Sequence, residues 1–273
     1  MSTFSIAEKR QAFWRLHESG CFVIPNPWDI GSARMLASMG FKALATTSSG
    51  YAWSQGRADG AVSRAEVLEH MQQMVHATDL PLNADFESGF AETEAELEES
   101  VVLAMETGVA GFSLEDSTGM PDFPLMPLEE AARRISIARA AIDKAGHNTL
   151  LVGRAENFFV GVPDLDDAIA RLKAYSEAGA DCLYAPGIKT AEQINAVVQA
   201  VAPKPVNVLI GWDSELTVKD LAVLGVRRIS VGGALARAAW GGFMQAARSI
   251  AEQERFDFGP GVVAGAQLNG LFK

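Results

Sequence analysis

The stretch Thr107-Gly108-Val109-Ala110-Gly111-Phe112-Ser113-Leu114-Glu115-Asp116 decides the fold. It follows a helical pattern over 91–106 and opens on a glycine, which takes the left-handed position after a helix at little steric cost. A short apolar run comes next and closes on two acids. The same joint recurs at Met39-Gly40-Phe41-Lys42-Ala43-Leu44, Ala178-Gly179-Ala180-Asp181-Cys182-Leu183 and Leu224-Gly225-Val226-Arg227-Arg228-Ile229. A helix that ends in Gly and passes at once into a strand is the αβ joint of a βα unit.

Working outward from these joints predicts eight strands, near 21–25, 42–46, 81–85, 110–115, 149–154, 181–185, 205–210 and 227–231. Helical patterns fall near 30–39, 63–77, 91–106, 128–145, 164–177, 190–201, 216–224 and 234–252, with an extra helix near 5–19. Asp164, Thr190 and Ser214 stand at or beside N-cap positions. Several strands are apolar throughout, as required when both faces are buried. Eight βα units in one chain predict a single (β/α)8 TIM-type barrel over 1–252 with an extra N-terminal helix. A doubly wound open sheet is disfavoured, because no Gly-x-Gly-x-x-Gly follows the first strand. The segment 253–273, with four Gly and one Pro, reads as an extended C-terminal tail. The stretch 117–127, with three prolines and a glycine, reads as a long loop placed to act as a lid.

The chain has 273 residues, 48% of them hydrophobic, enough for one large core. A net charge of −11 without a basic stripe argues against nucleic acid. No apolar stretch reaches membrane-spanning length and no signal-peptide pattern opens the chain. Cys21 and Cys182 both lie in apolar strand-like runs and read as core thiols of a reduced, cytoplasmic protein.

In a barrel the C-terminal strand ends share one mouth. Asn83-Ala84-Asp85-Phe86-Glu87 closes one strand, Glu115-Asp116 the next, and Arg154 the one after. Asp85, Glu87 and Glu115 offer hard oxygen ligands suited to Mg²⁺, which takes one or two carboxylates and keeps waters. Arg154 suits a substrate carboxylate, or neutralises Glu115 or Glu156. Thr46-Thr47-Ser48-Ser49-Gly50-Tyr51 follows the second strand, where small residues let backbone N–H groups approach an anion, or form an ordinary polar turn. Ser230-Val231-Gly232-Gly233-Ala234 spans the last strand end, a common phosphate position in barrels, although no Lys follows the glycines. His17, His70, His76 and His147 fall in helices or at helix ends, away from the strand ends.

At these residues the chain resembles the isocitrate lyase/phosphoenolpyruvate mutase superfamily over roughly 20–250. The resemblance rests on Asn26-Pro27-Trp28-Asp29-Ile30-Gly31-Ser32-Ala33-Arg34, Thr47-Ser48-Ser49-Gly50, Asn83-Ala84-Asp85, Leu114-Glu115-Asp116, Gly153-Arg154-Ala155-Glu156 and Arg228-Ile229-Ser230-Val231-Gly232-Gly233-Ala234. It implies Mg²⁺ (with Mn²⁺ as an alternative), a small anionic 2-oxo acid, and homodimers or homotetramers in which the last helix is exchanged between subunits. By position it assigns Asp85 and Glu115 to the metal, with Glu87 compensating for Asn83, which replaces the first acid of the usual acid-x-acid. It assigns Arg154, Ser48, Ser49 and Gly50 to the substrate, with Trp28 and Asp29 at the mouth and Asn207 near the substrate. Isocitrate and methylisocitrate lyases carry a Lys-x-Cys-Gly-His-type lid, and the phosphonomutases carry Lys and Asn there; 117–127 has neither set.

The expectation is therefore an Mg²⁺-dependent lyase that cleaves a C–C bond, decarboxylation included, of a small 2-oxo or 2-hydroxy di- or tricarboxylate through an enolate. Arg154, Tyr51 and Asp116 are its candidate catalytic residues, with Tyr184 a further candidate for proton transfer. The alternatives are phosphoenolpyruvate/phosphonopyruvate mutase or hydrolase chemistry, a non-catalytic 2-oxo acid binding barrel, and a phosphosugar-type barrel that uses Ser230–Ala234.

Overall fold

The structure, a computed structural model, describes residues 4–273. Eight parallel strands alternate with helices: β1 (Phe22–Ile24), β2 (Leu44–Ala45), β3 (Leu82–Asp85), β4 (Gly111–Glu115), β5 (Leu150–Arg154), β6 (Cys182–Tyr184), β7 (Val206–Leu209) and β8 (Arg228–Ser230). Their order runs β1-β8-β7-β6-β5-β4-β3-β2, and Ala45 N–H donates to the Pro25 carbonyl (3.0 Å), which joins the two ends into a barrel. The helices are α1 (Ile6–Glu18), α2 (Ile30–Ser38), α3 (Ser48–Ser54), α4 (Arg64–Ala77), α5 (Glu94–Glu106), α6 (Leu128–Ala145), α7 (Leu165–Glu177), α8 (Ala191–Val201), α9 (Val218–Val223), α10 (Ala234–Gln253) and α11 (Gly265–Leu271).

All eight expected strands and the expected helices are present. The four joint glycines, Gly40, Gly108, Gly179 and Gly225, have φ of 86°, 91°, 103° and 88°, a region costly for any residue with a Cβ. Asp164 and Thr190 cap their helices, but Thr217, not Ser214, caps α9. Ser214 instead accepts from Leu216 N–H in the preceding loop. Two further differences concern short helices. The polar stretch after β2 is helical from Ser48, because Thr47 caps it by accepting from Gly50 N–H. The tail is not extended throughout, since α11 forms within it and approaches α2.

The extra helix has a clear task. α1 closes the barrel end opposite the mouth, with Phe13 fully buried against Gly111, where a Cβ would come within 2.8 Å of the Leu150 carbonyl. Lys9 donates to the carbonyls of Val75 (2.8 Å) and Thr78 (2.6 Å), and Arg10 to those of Met105 (2.7 Å) and Val109 (3.0 Å). These two cations satisfy carbonyls left open where α4 and α5 end. With that end sealed, the opposite end is the entry. α10 behaves differently from the other barrel helices: only Ala236 and Ser249 are buried, while Phe243, Met244 and Ile250 are exposed.

Two histidines are packed as neutral groups. Burial pushes His17 down to about 3 and His70 down to about 4, and the ring Nε2 of each lacks a partner. A His with a depressed folded pKa contributes stability above its usual value near 6.5, and loses it as pH falls toward the folded value. Stability should therefore drop between pH 6.5 and pH 5, by at most about 2 kcal/mol per histidine. Urea unfolding at pH 7 and pH 5 measures this, and His17→Leu should flatten the dependence.

Candidate active site

The site is built on strand register. β4 and β5 pair with Glu115 opposite Arg154, and β3 sets Asp85 opposite Ser113. The three chain ends thus meet on one side of the mouth. Arg154 Nη1 donates to Asp85 Oδ1 (3.0 Å) and to Glu115 Oε2 (3.2 Å), and its Nε donates to Glu156 Oε1. Tyr184 lies below, with the guanidinium carbon 5.2 Å from its ring centroid. Burial opposes the charge of Arg154, yet Glu115, Glu156 and Asp85 hold it well above the ordinary range.

Asp85 is also fixed from β2 and α3. Its backbone N–H donates to Thr46 Oγ1 (2.9 Å), and its Oδ2 accepts from Ser48 N–H (3.0 Å). Glu87 follows at φ 48°, which turns its side chain into the mouth beside Asp85. The cavity over these groups measures about 1220 Å³, and Ser48, Ser49, Asp85, Glu87, Glu115 and Arg154 all line it.

Several expected residues lie elsewhere. Asp116 is buried behind the mouth, where it accepts from Glu156 N–H (2.8 Å), Arg171 Nη1 (3.0 Å) and the Tyr175 hydroxyl (2.5 Å). Both of its oxygens are engaged by the scaffold, and it does not line the cavity. The reason is pleat: Glu115 and Asp116 are neighbours, and neighbouring side chains point to opposite faces. Tyr51 stacks on His70 at 3.8 Å and does not line the main cavity. Asp29 caps α2 by accepting from Ser32 N–H, and Trp28 packs against Gly50 of α3. A Cβ on Gly50 would come within 2.6 Å of Thr47 and 3.0 Å of Trp28, so that glycine serves packing. Asn207 is fully buried and donates to Ser230 Oγ (3.0 Å) below the cavity surface.

One residue escaped the sequence reading. Asp59, in the loop Arg57-Ala58-Asp59-Gly60, reaches the cavity that Ser48 also lines. Burial raises its pKa, as does the charge of Asp85. Its place 14 residues past β2 gave no signal, because only the fold of α3 carries the chain back over the mouth.

The acids form a like-charged group. Burial, then the charges of Asp85 and Asp59, push Glu87 up to about 8. Burial also raises Glu115 well above the carboxylate range and raises Glu156, against the pull of Arg154. One guanidinium does not balance Asp59, Asp85, Glu87, Glu115 and Glu156. Among the described residues no three His, Cys, Asp or Glu side chains are gathered at metal-binding spacing. The donor set is nevertheless all oxygen and in excess of positive charge, which fits a hard divalent cation held by few side chains and several waters.

Asp116 supports the wall of the site through Arg171 and Tyr175, so Asp116→Asn should cost about 3 kcal/mol, as expected when one partner of a buried ion pair is removed. Urea denaturation measures it.

Comparison with known proteins agrees with this geometry. The family model for phosphoenolpyruvate phosphomutase matches residues 13–251. A crystal structure from Burkholderia cenocepacia, provisionally assigned as a lyase/mutase, superposes with a TM-score of 0.94 and 46% identity, over 98% of this chain and 97% of that one. An oxaloacetate decarboxylase of Pseudomonas putida is 28% identical over 86% of this chain and 82% of its own. A 2-methylisocitrate lyase of Bacillus subtilis is 29% identical over 65% of this chain and 59% of its own. An eight-stranded parallel barrel, acids at the ends of β3 and β4 around an arginine at the end of β5, and a family match over most of its length place this chain in the isocitrate lyase/phosphoenolpyruvate mutase superfamily.

Proposed function

We propose that this protein is an Mg²⁺-dependent carbon–carbon lyase acting on a small 2-oxo or 2-hydroxy dicarboxylate, with decarboxylation of an oxaloacetate-like acid as the leading reaction. The observation that carries the reading is the charge at the mouth. Asp59, Asp85, Glu87, Glu115 and Glu156 line one side of the mouth, and three of them, Asp85, Glu115 and Glu156, already engage Arg154. On that acid-rich side an anionic substrate is held only against a cation that reverses the local field. Asp85, Glu87 and Glu115 would hold that cation or its waters, with Asp59 beside them. Bound there, Mg²⁺ would supply Lewis-acid stabilisation of the charge that develops as the 2-oxo acid becomes an enolate.

The protein groups supply the rest. Arg154 would exchange part of its carboxylate contact for the substrate carboxylate, which its planar fork can bind at two points. Ser48 and Ser49 stand at the N-terminus of α3, where N–H groups favour negative charge. Tyr184 stays protonated, its pKa pushed up to about 12 by burial, and can donate a proton beside Arg154.

The lid favours decarboxylation over cleavage that needs a lid acid. Residues 117–127 form a tight return, with Ser117 bridging to Leu125 and Thr118 N–H donating to the Pro124 carbonyl (3.1 Å). Ser117, Thr118 and Gly119 line the cavity, and the loop carries no thiol, ammonium or imidazole. Loss of CO₂ needs no base, and the resulting enolate can take its proton from solvent. The relatives named an oxaloacetate decarboxylase and a 2-methylisocitrate lyase support this class of reaction.

We also propose a homo-oligomer in which α10 crosses to a neighbour, supported by its exposed Phe243, Met244 and Ile250. A reduced compartment is proposed from the free thiols of Cys21 and Cys182. Among the described residues no helix is long and apolar enough to cross a membrane.

A panel of oxaloacetate, substituted malates, 2-methylisocitrate and phosphonopyruvate, assayed with Mg²⁺ and with EDTA, tests the proposal. Pyruvate release from oxaloacetate, lost in EDTA, is the expected result. Turnover of phosphonopyruvate alone would favour the mutase or hydrolase reading, and binding without turnover of any member would favour a binding barrel. Asp85→Ala should abolish metal-dependent turnover while circular dichroism stays unchanged. Arg154→Lys should lower kcat/KM by about 10²-fold, because an ammonium cannot reproduce a planar two-point contact.

A further inference from the structure

The floor of the mouth carries a buried cation with no counter-charge. Arg228, the first residue of β8, is 2% exposed and lines the cavity. Its Nε donates to Asn207 Oδ1 (2.8 Å) and its Nη1 to Asn83 Oδ1 (3.2 Å). Both acceptors are neutral amides. Arg228 makes no salt bridge among the described residues, and its Nη2 has no protein acceptor among them. A buried guanidinium normally meets a carboxylate, because desolvating a full charge against amides alone leaves most of the cost standing.

The sequence makes this arrangement deliberate in chemical terms. Asn83 sits where an acid would pair with Arg228 across the barrel, and β3 supplies an amide of the same shape instead. Asn207 is fixed in turn by donating to Ser230 Oγ (3.0 Å). The two asparagines therefore orient the guanidinium without neutralising it. Its free edge faces a cavity that the arguments above assign to an anionic acid.

We propose that Arg228 forms an anion subsite on the cavity floor, distinct from Arg154, that takes a carboxylate or a comparably small oxyanion. Arg154 is engaged by three protein carboxylates, so Arg228 is the buried arginine of the mouth whose charge is left for a ligand. Asn83 is a positioning residue for it. The identity of the anion as a substrate carboxylate rests on the proposed function, whereas the subsite itself does not.

Binding of oxalate to the full-length protein in EDTA, measured by isothermal titration calorimetry, separates the two. Saturable binding to the wild-type protein is expected. Asn83→Asp places a carboxylate against Arg228 at almost no change in volume, and Arg228→Met removes the charge. Each should weaken oxalate binding by at least about fivefold, with Arg228→Lys intermediate. Thermal unfolding identifies folded variants, and the near-isosteric Asn83→Asp decides the matter if Arg228→Met does not fold. No saturable binding by the wild-type protein, or less than about a fivefold loss in folded Asn83→Asp, overturns the subsite. A subsite confirmed in this way, with no turnover on the substrate panel, would leave the subsite standing and remove the lyase reading.

Discussion

The contact of Arg154 with Asp85, Glu115 and Glu156 is the constraint on which the site depends. Four charged groups from β3, β4 and the end of β5 are tolerated inside the mouth because each is partly answered by another. Buried carboxylates without that guanidinium would take up protons, as Glu87 already tends to do at the edge of its reach. The arginine thus opposes the upward pull of burial on Glu115 and Glu156 and lowers the cost of gathering these acids in one place. It also holds three strand ends in register at the level where substrate must sit.

The scaffold around this contact divides its polar groups by face. Asp116 turns away from the mouth and ties β4 to α7 through Arg171 and Tyr175, while Glu115 turns inward. Lys9 and Arg10 spend their charges on carbonyls at the opposite end, which closes the barrel and confines entry to one side. The mouth gathers unbalanced charge on two sides: acids toward β3 to β5, and the amide-bound Arg228 toward β8. Such a separation suits an acid that presents one end to a cation and another to a guanidinium.

The lid distinguishes this chain chemically from lyases with a lid thiol. Residues 117–127 are held by their own backbone bonds and offer only hydroxyls and backbone to the cavity. Chemistry that needs no protein acid at that point, such as loss of CO₂, is consistent with it.

The barrel was legible in the sequence because its signals are local. A glycine with positive φ after α2, α5, α7 and α9, a short apolar run behind it, and an acid or arginine at the ends of β3, β4 and β5 need no distant partner to be read. The convergence of Asp85, Glu115 and Arg154 followed from the repeat, since successive strand ends of a barrel share one mouth. Facing and distance were not legible. Asp116 and Glu115 are adjacent and equally acidic, and only the pleat and the placing of Arg171 and Tyr175 sent one inward and the other out. Asp59 entered the site only because Thr47 starts a helix that returns the chain over the mouth. The pairing of Asn83 with Arg228, 145 residues apart, joins opposite parts of the barrel wall and needs closure of the sheet to exist. The sequence by itself determined the repeat and the residue types at each strand end, because these depend on neighbouring residues. The tertiary structure decided which of those charges are balanced, because balance depends on distances that only the closed barrel sets.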